Sequence, residues 1–372
     1  MLAADVTSTI DVPPADNTQM DGYALRSADV PAAGTLLPVS QRIPAGVEPQ
    51  ALQPGTAARI FTGGLIPPGA DAVVMQEQCS ADGDGVTVLV VPKSGDWLRR
   101  RGLDVASGRV VLAAGQRLRP QDLGLAASVG VAMLAVRRRP RMAILFTGDE
   151  LAMPGEPLRP GAIYNSNRFV IQALLQAAGC DVTDFGVVPD KLDATRAALR
   201  EAALRHDLIV STGGMSVGEE DHVKAAVQAE GALDLWQIAM KPGKPLAFGH
   251  IRRGQDQGDA AFIGLPGNPV SSFVTFLMFV RPYLLALQGA QQTAPVAFPV
   301  RSAFDWPRPD KRREYLRVRL NAQGEAELFA SQNSAVLTST VWADGLVDNP
   351  PQQPIARGDV LRYLPFSSLL QG

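Results

Sequence analysis

Apolar and polar positions change their rhythm at Pro140. Downstream of it, "RMAILFTGDE" (141–150) stays apolar until it meets Thr-Gly, which predicts a buried strand. "NSNRFVIQALLQAAGC" (165–180) repeats apolar residues at helical spacing behind an Asn/Ser cap. The same alternation continues through a strand at "DVTDFGVVPD" (181–190), a helix at "LDATRAALREAALRH" (192–206) and a strand at "DLIVSTGG" (207–214). A helix over 221–231, a strand at "LAFG", and "AFIGLPG" leading into a long apolar helix complete it. Strands alternating with helices predict a doubly wound α/β domain over 140–288, with a parallel sheet covered on both faces.

The flanks follow a different period. Before residue 108, short β-branched runs such as "DAVVMQ" (71–76) and "GVTVLVVP" (85–92) sit between "PPGAD" and "ADGDG" turn signals, which predicts a β-rich domain over 13–107. Residues 108–139 read as strand, turn, short helix from Pro120, and strand, a segment suited to a different layer. Past residue 288, "EYLRVRL", "EAELFA" and "DVLRYLP" alternate with Gly and Pro turns, predicting a small C-terminal β-barrel or sandwich over 289–372.

Composition narrows the field without choosing within it. A chain of 372 residues exceeds the roughly 250 to 300 at which single cores stop growing, so several domains are expected. With 46% hydrophobic residues and a net charge of −2, bulk attraction to nucleic acid or anionic lipid is disfavoured, and any anion site has to be local. Two distant cysteines and three histidines support neither a disulfide framework, a cysteine zinc site nor a histidine-based triad. We expect a cytoplasmic protein with no signal peptide and no membrane span, because Arg281 and Pro282 interrupt the most apolar helix. The basic runs at 98–104, 136–141 and 308–319 are taken as solvated faces, and no nucleic-acid motif accompanies them.

In an open α/β sheet the ligand sits beyond the carboxyl ends of the strands, so the strand-ending residues carry the chemistry. Here they are "TGDE", "VVPD", "STGGMSVGEED" and "GLPGNP", which would gather Asp149, Glu150, Asp190, Glu219, Glu220 and Asp221 on one edge. Gly213, Gly214 and Gly218, with Ser216 between them, let backbone N–H groups converge on an anion at a helix N-terminus. The bland alternative for Glu219 and Glu220 is helix capping; Asp221 with Glu150 could instead supply hard oxygens to Mg²⁺. "LPGNPVSS" stiffens a strand-to-helix turn with Pro266 and Pro269 around Gly267 and Asn268, and brings Ser271 and Ser272 to the helix start. "MKPGKPLAFG" presents Lys241 and Lys244 on a proline-stiffened loop suited to a compact oxyanion, against the alternative of a solvated loop. Walker A and GxSxG signatures are absent in usable form.

The ordered set "DVPPADNTQMDGYALRSAD", "RIFTGGLIPPGADAVVMQEQ", "RRRGLDVASG", "ILFTGDEL", "IYNSNR", "STGGMSVGEED", "KPGKPLAFG" and "LPGNPVSS" resembles the molybdopterin molybdenumtransferases of the MoeA type, to which the gephyrin E domain is also similar. The resemblance covers most of the chain up to about residue 288. It implies a four-part homodimer that uses Mg²⁺, adenylated molybdopterin and molybdate, inserts molybdenum and releases AMP. It places functional positions at Asp21, Thr62, Asp104, Glu150, Asp190, Asp221, Lys241, Lys244, Pro266, Pro269 and Ser334. Molybdopterin adenylyltransferase and molybdoenzyme-maturation proteins are the partners it suggests. The chain begins shortly before "DVPP", where the family usually carries a further helical segment supporting the dimer; Gln237 stands at a commonly basic position, and Ala15 at an often aromatic one. The competing readings are an adenylyltransferase or nucleotide pyrophosphatase of related fold, and a peptide-binding scaffold.

Overall fold

A computed structural model describes residues 1–214, 222–254 and 258–371. They fall into two compact units, 1–136 and 137–372.

The first unit is built on a six-stranded sheet in the order Ala72–Met75, Gly22–Leu25, Ala57–Ile60, Thr35–Ile43, Gly85–Val88, Cys79–Asp82. Pairing is antiparallel except between Thr35–Ile43 and Ala57–Ile60. Tyr23, Leu25, Leu37, Val74, Val86 and Val88 fill one core. A second, small core joins the two ends of the unit, with Leu2 and Val6 packing on Val105, Leu112, Ala126 and Val129 beside the helix Pro120–Ser128. The strand expected after that helix is reduced to a bridge between Leu2 and Val136. The neighbouring apolar positions are not buried in a ladder: Met133 is 87% exposed.

In the second unit we number strands in chain order: β1 Arg141–Thr147, β2 Asp181–Val188, β3 Leu208–Thr212, β4 Gly231–Gln237, β5 Met240–Lys241, β6 Pro245–Ile251, β7 Ala260–Leu265, β8 Phe298–Arg301, β9 Arg313–Leu320, β10 Ala326–Leu328, β11 Gly345–Asn349 and β12 Val360–Pro365. Its helices include α1 Ser166–Ala177, α2 Leu192–Arg205, α3 His222–Glu230 and α4 Pro269–Thr275. The central sheet runs β2-β1-β3-β7-β6-β4. β2, β1, β3 and β7 are parallel, whereas β6 and β4 are antiparallel to their neighbours, so the sheet is mixed rather than wholly parallel. β4 escaped the sequence reading because "GALDLWQ" is an edge strand following directly on α3, and its Asp234 breaks the apolar run.

Both faces of the sheet are covered, which explains the unbroken apolar run of β1, where every residue from Met142 to Phe146 is fully buried. Ile171 and Leu175 of α1 and Val270 and Val274 of α4 pack on one face. Leu199 and Ala202 of α2 and Val223 and Val227 of α3 pack on the other. The chain passes from β1 to β2 on one side and returns with β3 on the other. The switch point therefore lies between the ends of β1 and β3.

The long apolar helix passes through Arg281 and Pro282. The helical run continues through a π turn at Phe276–Val280 into Arg281–Leu287, whose first turn holds the proline where its missing N–H costs nothing. By length and apolarity Pro269–Leu287 would suffice to cross a membrane, and 61% of its apolar window is buried in the protein, including Val270, Leu277, Val280 and Leu284.

The C-terminal residues form a β domain ordered β5-β9-β11-β12-β8, with β10 added on β9. Its first strand comes from the α/β domain: β5 pairs in parallel with β9, placing Lys241 opposite Glu314. Phe262, fully buried in β7, tests the face covered by α2 and α3. Phe262→Ala is expected to lower stability by about 3 to 5 kcal/mol, read as a fall in the urea midpoint.

Candidate active site

At the switch point, β3 ends so close to β1 that only glycine fits. A Cβ on Gly213 would stand 2.2 Å from the Thr147 carbonyl oxygen, and one on Gly214 2.5 Å from Val223 Cγ2; both residues have positive φ. Two successive amides are thereby brought, bare of side chain, to the crevice where α/β sheets take ligands. Thr147 Oγ1 and Ser211 Oγ are buried here with no hydrogen-bond partner among the described residues.

The "LPGNP" turn after β7 joins this edge. Asn167 Nδ2 donates to the Gly267 carbonyl at 2.8 Å, while Asn165 caps α1 by accepting from the Arg168 amide at 3.1 Å. Asn268 Nδ2 donates to Ser334 Oγ at 3.1 Å, and the Val270 amide donates to the Ser334 carbonyl at 3.0 Å. Ser334, far off in sequence, is thus seated on the turn of Pro266, Gly267, Asn268 and Pro269. Ser272 hydroxyl, bonded to the Pro266 carbonyl, is buried, as is Ser271, so neither stands open to a ligand.

Magnesium takes hard oxygen donors and keeps much of its water. The exposed Glu150 carboxylate fits that chemistry: it folds over Gly148, where a Cβ would lie 2.7 and 2.8 Å from its two oxygens. Asp190 is drawn to the same edge, its amide donating to Asp149 Oδ1 at 3.5 Å. Among the described residues no three His, Cys, Asp or Glu gather at metal-binding spacing. Ser216, Gly218, Glu219, Glu220 and Asp221 lie outside the described residues, and the expectations placed on them with them.

Lys241 is held by two carboxylates. Its Nζ lies 3.1 Å from Glu314 Oε1 and 3.5 Å from Asp310 Oδ2. Glu314, only 1% exposed, also accepts from Trp306 Nε1 at 2.8 Å and Asn349 Nδ2 at 3.5 Å. A buried carboxylate needs such partners, and Lys241 supplies the charge among them. Lys244 is exposed and lines a cleft of about 560 Å³ with Asp310, Lys311 and Arg312. The run at 308–319 is therefore not one solvated face. Arg317 is 1% exposed and donates to Ser339 Oγ and to the carbonyls of Tyr315 and Asn333, beside Ser334. Burial pushes its guanidinium down to about 10. Sequence reasoning missed these roles because their partners are distant in the chain.

In the first unit, Asp21 and Thr62 meet directly. Asp21 Oδ1 accepts from the Thr62 amide at 2.7 Å and from its hydroxyl at 2.8 Å. These bonds, with Arg59 nearby, hold the Asp21 carboxyl below its ordinary range. Arg59 is itself fixed by Gly22 carbonyl and Gln76 Oε1, and stacks over Tyr23 and Phe61. Asp104 is exposed, and its amide donates to the Val12 carbonyl at 2.9 Å. Arg100 and Arg101 tie its loop to Asp16 and Asp11.

Known proteins cover this chain nearly end to end. The MoeA N-terminal region (domain I and II) matches residues 1–130, a probable molybdopterin binding domain 143–286, and the MoeA C-terminal region (domain IV) 299–366. A molybdopterin molybdenumtransferase of Haemophilus influenzae is 37% identical over 377 aligned positions, spanning 100% of this chain and 92% of that protein. The chain belongs to the MoeA family of molybdopterin molybdenumtransferases.

A second member, from Bacillus subtilis, is 33% identical over 94% of this chain and 83% of its own. Among solved structures, the molybdopterin biosynthesis MoeA protein of Pyrococcus horikoshii OT3 superposes with a TM-score of 0.83 at 30% identity, covering 98% of this chain and 91% of that one. For a MoeA-family protein these matches bear out the multidomain architecture: a β-rich N-terminal part, a central α/β domain and a C-terminal β domain.

Gly213→Ala places a Cβ against the Thr147 carbonyl and is expected to cost about 3 kcal/mol or more, measured by chemical denaturation. Asp21 has a depressed native pKa, so its stabilising contribution is complete above the unfolded value of about 3.9 and is lost as pH falls through the lower native value. Thr62→Ala removes the hydroxyl donor, and NMR titration of the Asp21 carboxyl should show its midpoint moving back upward.

Proposed function

We propose that this protein inserts molybdate into adenylated molybdopterin, in a Mg²⁺-dependent step that breaks the pyrophosphate bond and releases AMP. What carries this reading is the combination of two bare turns and the lysine loop: Gly213 and Gly214 at the Thr147 carbonyl, Gly267 and Asn268 beside Ser334, and Lys241 on β5 with Lys244 three residues on.

In this reading the Gly213 and Gly214 amides, with Ser216 and Gly218 following them, receive phosphate oxygens of the substrate. Pro266, Gly267, Asn268, Pro269 and Ser334 form a stiff wall for the pterin. Lys241 and Lys244 donate to the compact oxyanion, and Lys241 reaches it already oriented by Glu314. Glu150, completed by Asp221, would hold Mg²⁺, which supplies neutralisation of the phosphate charge when bound. Asp190 acts at the same edge, and Asp21, Thr62 and Asp104 belong to the functional set contributed by the first unit. The support for this assignment is the family to which the chain belongs and the chemistry of each residue.

We further read the protein as a cytoplasmic homodimer with no nucleic-acid or membrane partner, receiving substrate from a molybdopterin adenylyltransferase and passing product to molybdoenzyme-maturation proteins. Its four domains are 1–12 with 108–139, 13–107, 140–288 and 289–372.

The test is molybdate-dependent AMP release from adenylated molybdopterin. Lys241→Ala and Glu150→Gln are each expected to lower the rate by about tenfold to a hundredfold, with chelation of Mg²⁺ abolishing it. Unchanged AMP release in Lys241→Ala would remove the lysine from the mechanism. Robust formation of adenylated product from ATP and molybdopterin would make the protein an adenylyltransferase instead.

A further inference from the structure

The cleft beside Lys244 already contains an anion, and it belongs to the chain. Asp310 Oδ1 accepts from the Arg312 amide at 3.0 Å and from Arg312 Nε at 2.9 Å; Oδ2 accepts from a terminal nitrogen of the same guanidinium at 2.8 Å and stands 3.5 Å from Lys241 Nζ. The carboxylate is thus gripped by a planar fork on one side and faces an ammonium on the other, the arrangement in which proteins hold carboxylates and tetrahedral oxyanions alike. Lys244 and Lys311 line the same cleft. Two cations therefore hold Asp310 and two more line its cleft, while Glu314 draws on Lys241 from the buried side.

We propose that Asp310 is a specificity-determining residue that competes internally for the oxyanion site formed by Lys241, Lys244, Lys311 and Arg312. An entering tetrahedral oxyanion has to take donors from the carboxylate or lie against its charge. Small free oxyanions such as inorganic phosphate are held weakly for that reason. A ligand that brings further contacts, through a pterin or nucleotide moiety on the turns at Gly213 and Gly267, offsets the repulsion and binds. The charge is permanent at working pH, since the Arg312 bonds hold the Asp310 carboxyl far below its ordinary range.

This inference rests on the reading that Lys241 and Lys244 receive an oxyanion, and the experiment separates the two. The full-length protein is titrated calorimetrically at fixed ionic strength with inorganic phosphate and, separately, with molybdate. Asp310→Asn keeps one oxygen to accept the Arg312 amide while removing the charge and the second acceptor that grips the Arg312 guanidinium; it is expected to tighten both oxyanions by about tenfold. It should also make AMP release more sensitive to inhibition by phosphate. Asp310→Ser, which keeps a hydroxyl acceptor at the turn, is measured alongside, with thermal unfolding of each variant as the check on folding. If Lys241→Ala and Lys244→Ala leave oxyanion binding unchanged, the lysine reading fails. If those variants weaken binding while neither Asp310 variant tightens it, the competitor role alone is overturned.

Discussion

The second unit turns on one steric fact: the end of β3 lies against the carbonyl of Thr147 with no room for a Cβ. The connections that leave β1 and β3 part there, because the chain goes from β1 toward β2 and comes back on its other side. The crevice this opens is unavoidable in a doubly wound sheet. What is particular here is how little side chain fills it. Gly213 and Gly214 expose their amides, and Glu150 folds back over a third glycine, so backbone and carboxylate share a space that ordinary residues would have closed. The turn at Gly267 and the Ser334 loop then pack around an opening that the topology has already made.

Much of this was legible in the sequence, for physical reasons. A strand buried on both faces has to be apolar throughout, so Met142 to Phe146 announces itself, and glycines after a strand mark a place where a backbone approaches closely. β4 was not legible, because an edge strand with a charged residue carries neither signal. The sheet's antiparallel edge went unseen with it. The apolar run over 273–287 announced a helix, whereas the π turn at Phe276–Val280 within it carries no signal in the residue pattern. The candidate positions on 215–221 lie outside the described residues.

The charge run at 308–319 shows what local reading misses. Whether a charge is solvated depends on groups that arrive from elsewhere. Glu314 is buried because Trp306, Asn349 and Lys241 satisfy it, and Arg317 because Ser339 and two carbonyls do. Neither burial is inexpensive, since taking an ion from water costs several kcal/mol unless its bonds are replaced. Replacement ties them to structure around the site: Glu314 to the lysine loop, Arg317 to the carbonyl next to Ser334. One β-strand, β9, thereby holds two candidate site residues through buried charges of opposite sign.

The short strand β5 gives this arrangement a mechanical meaning. Met240 and Lys241 belong by sequence to the α/β domain but are hydrogen-bonded into the sheet of the C-terminal domain, while Lys244, three residues on, leads straight into β6 of the central sheet. The lysine loop is therefore a yoke with one arm fastened to each body. Any displacement of the C-terminal domain against the α/β domain would change the span between the two ammonium groups. The pair works as a caliper whose jaws are set by how the two domains are seated.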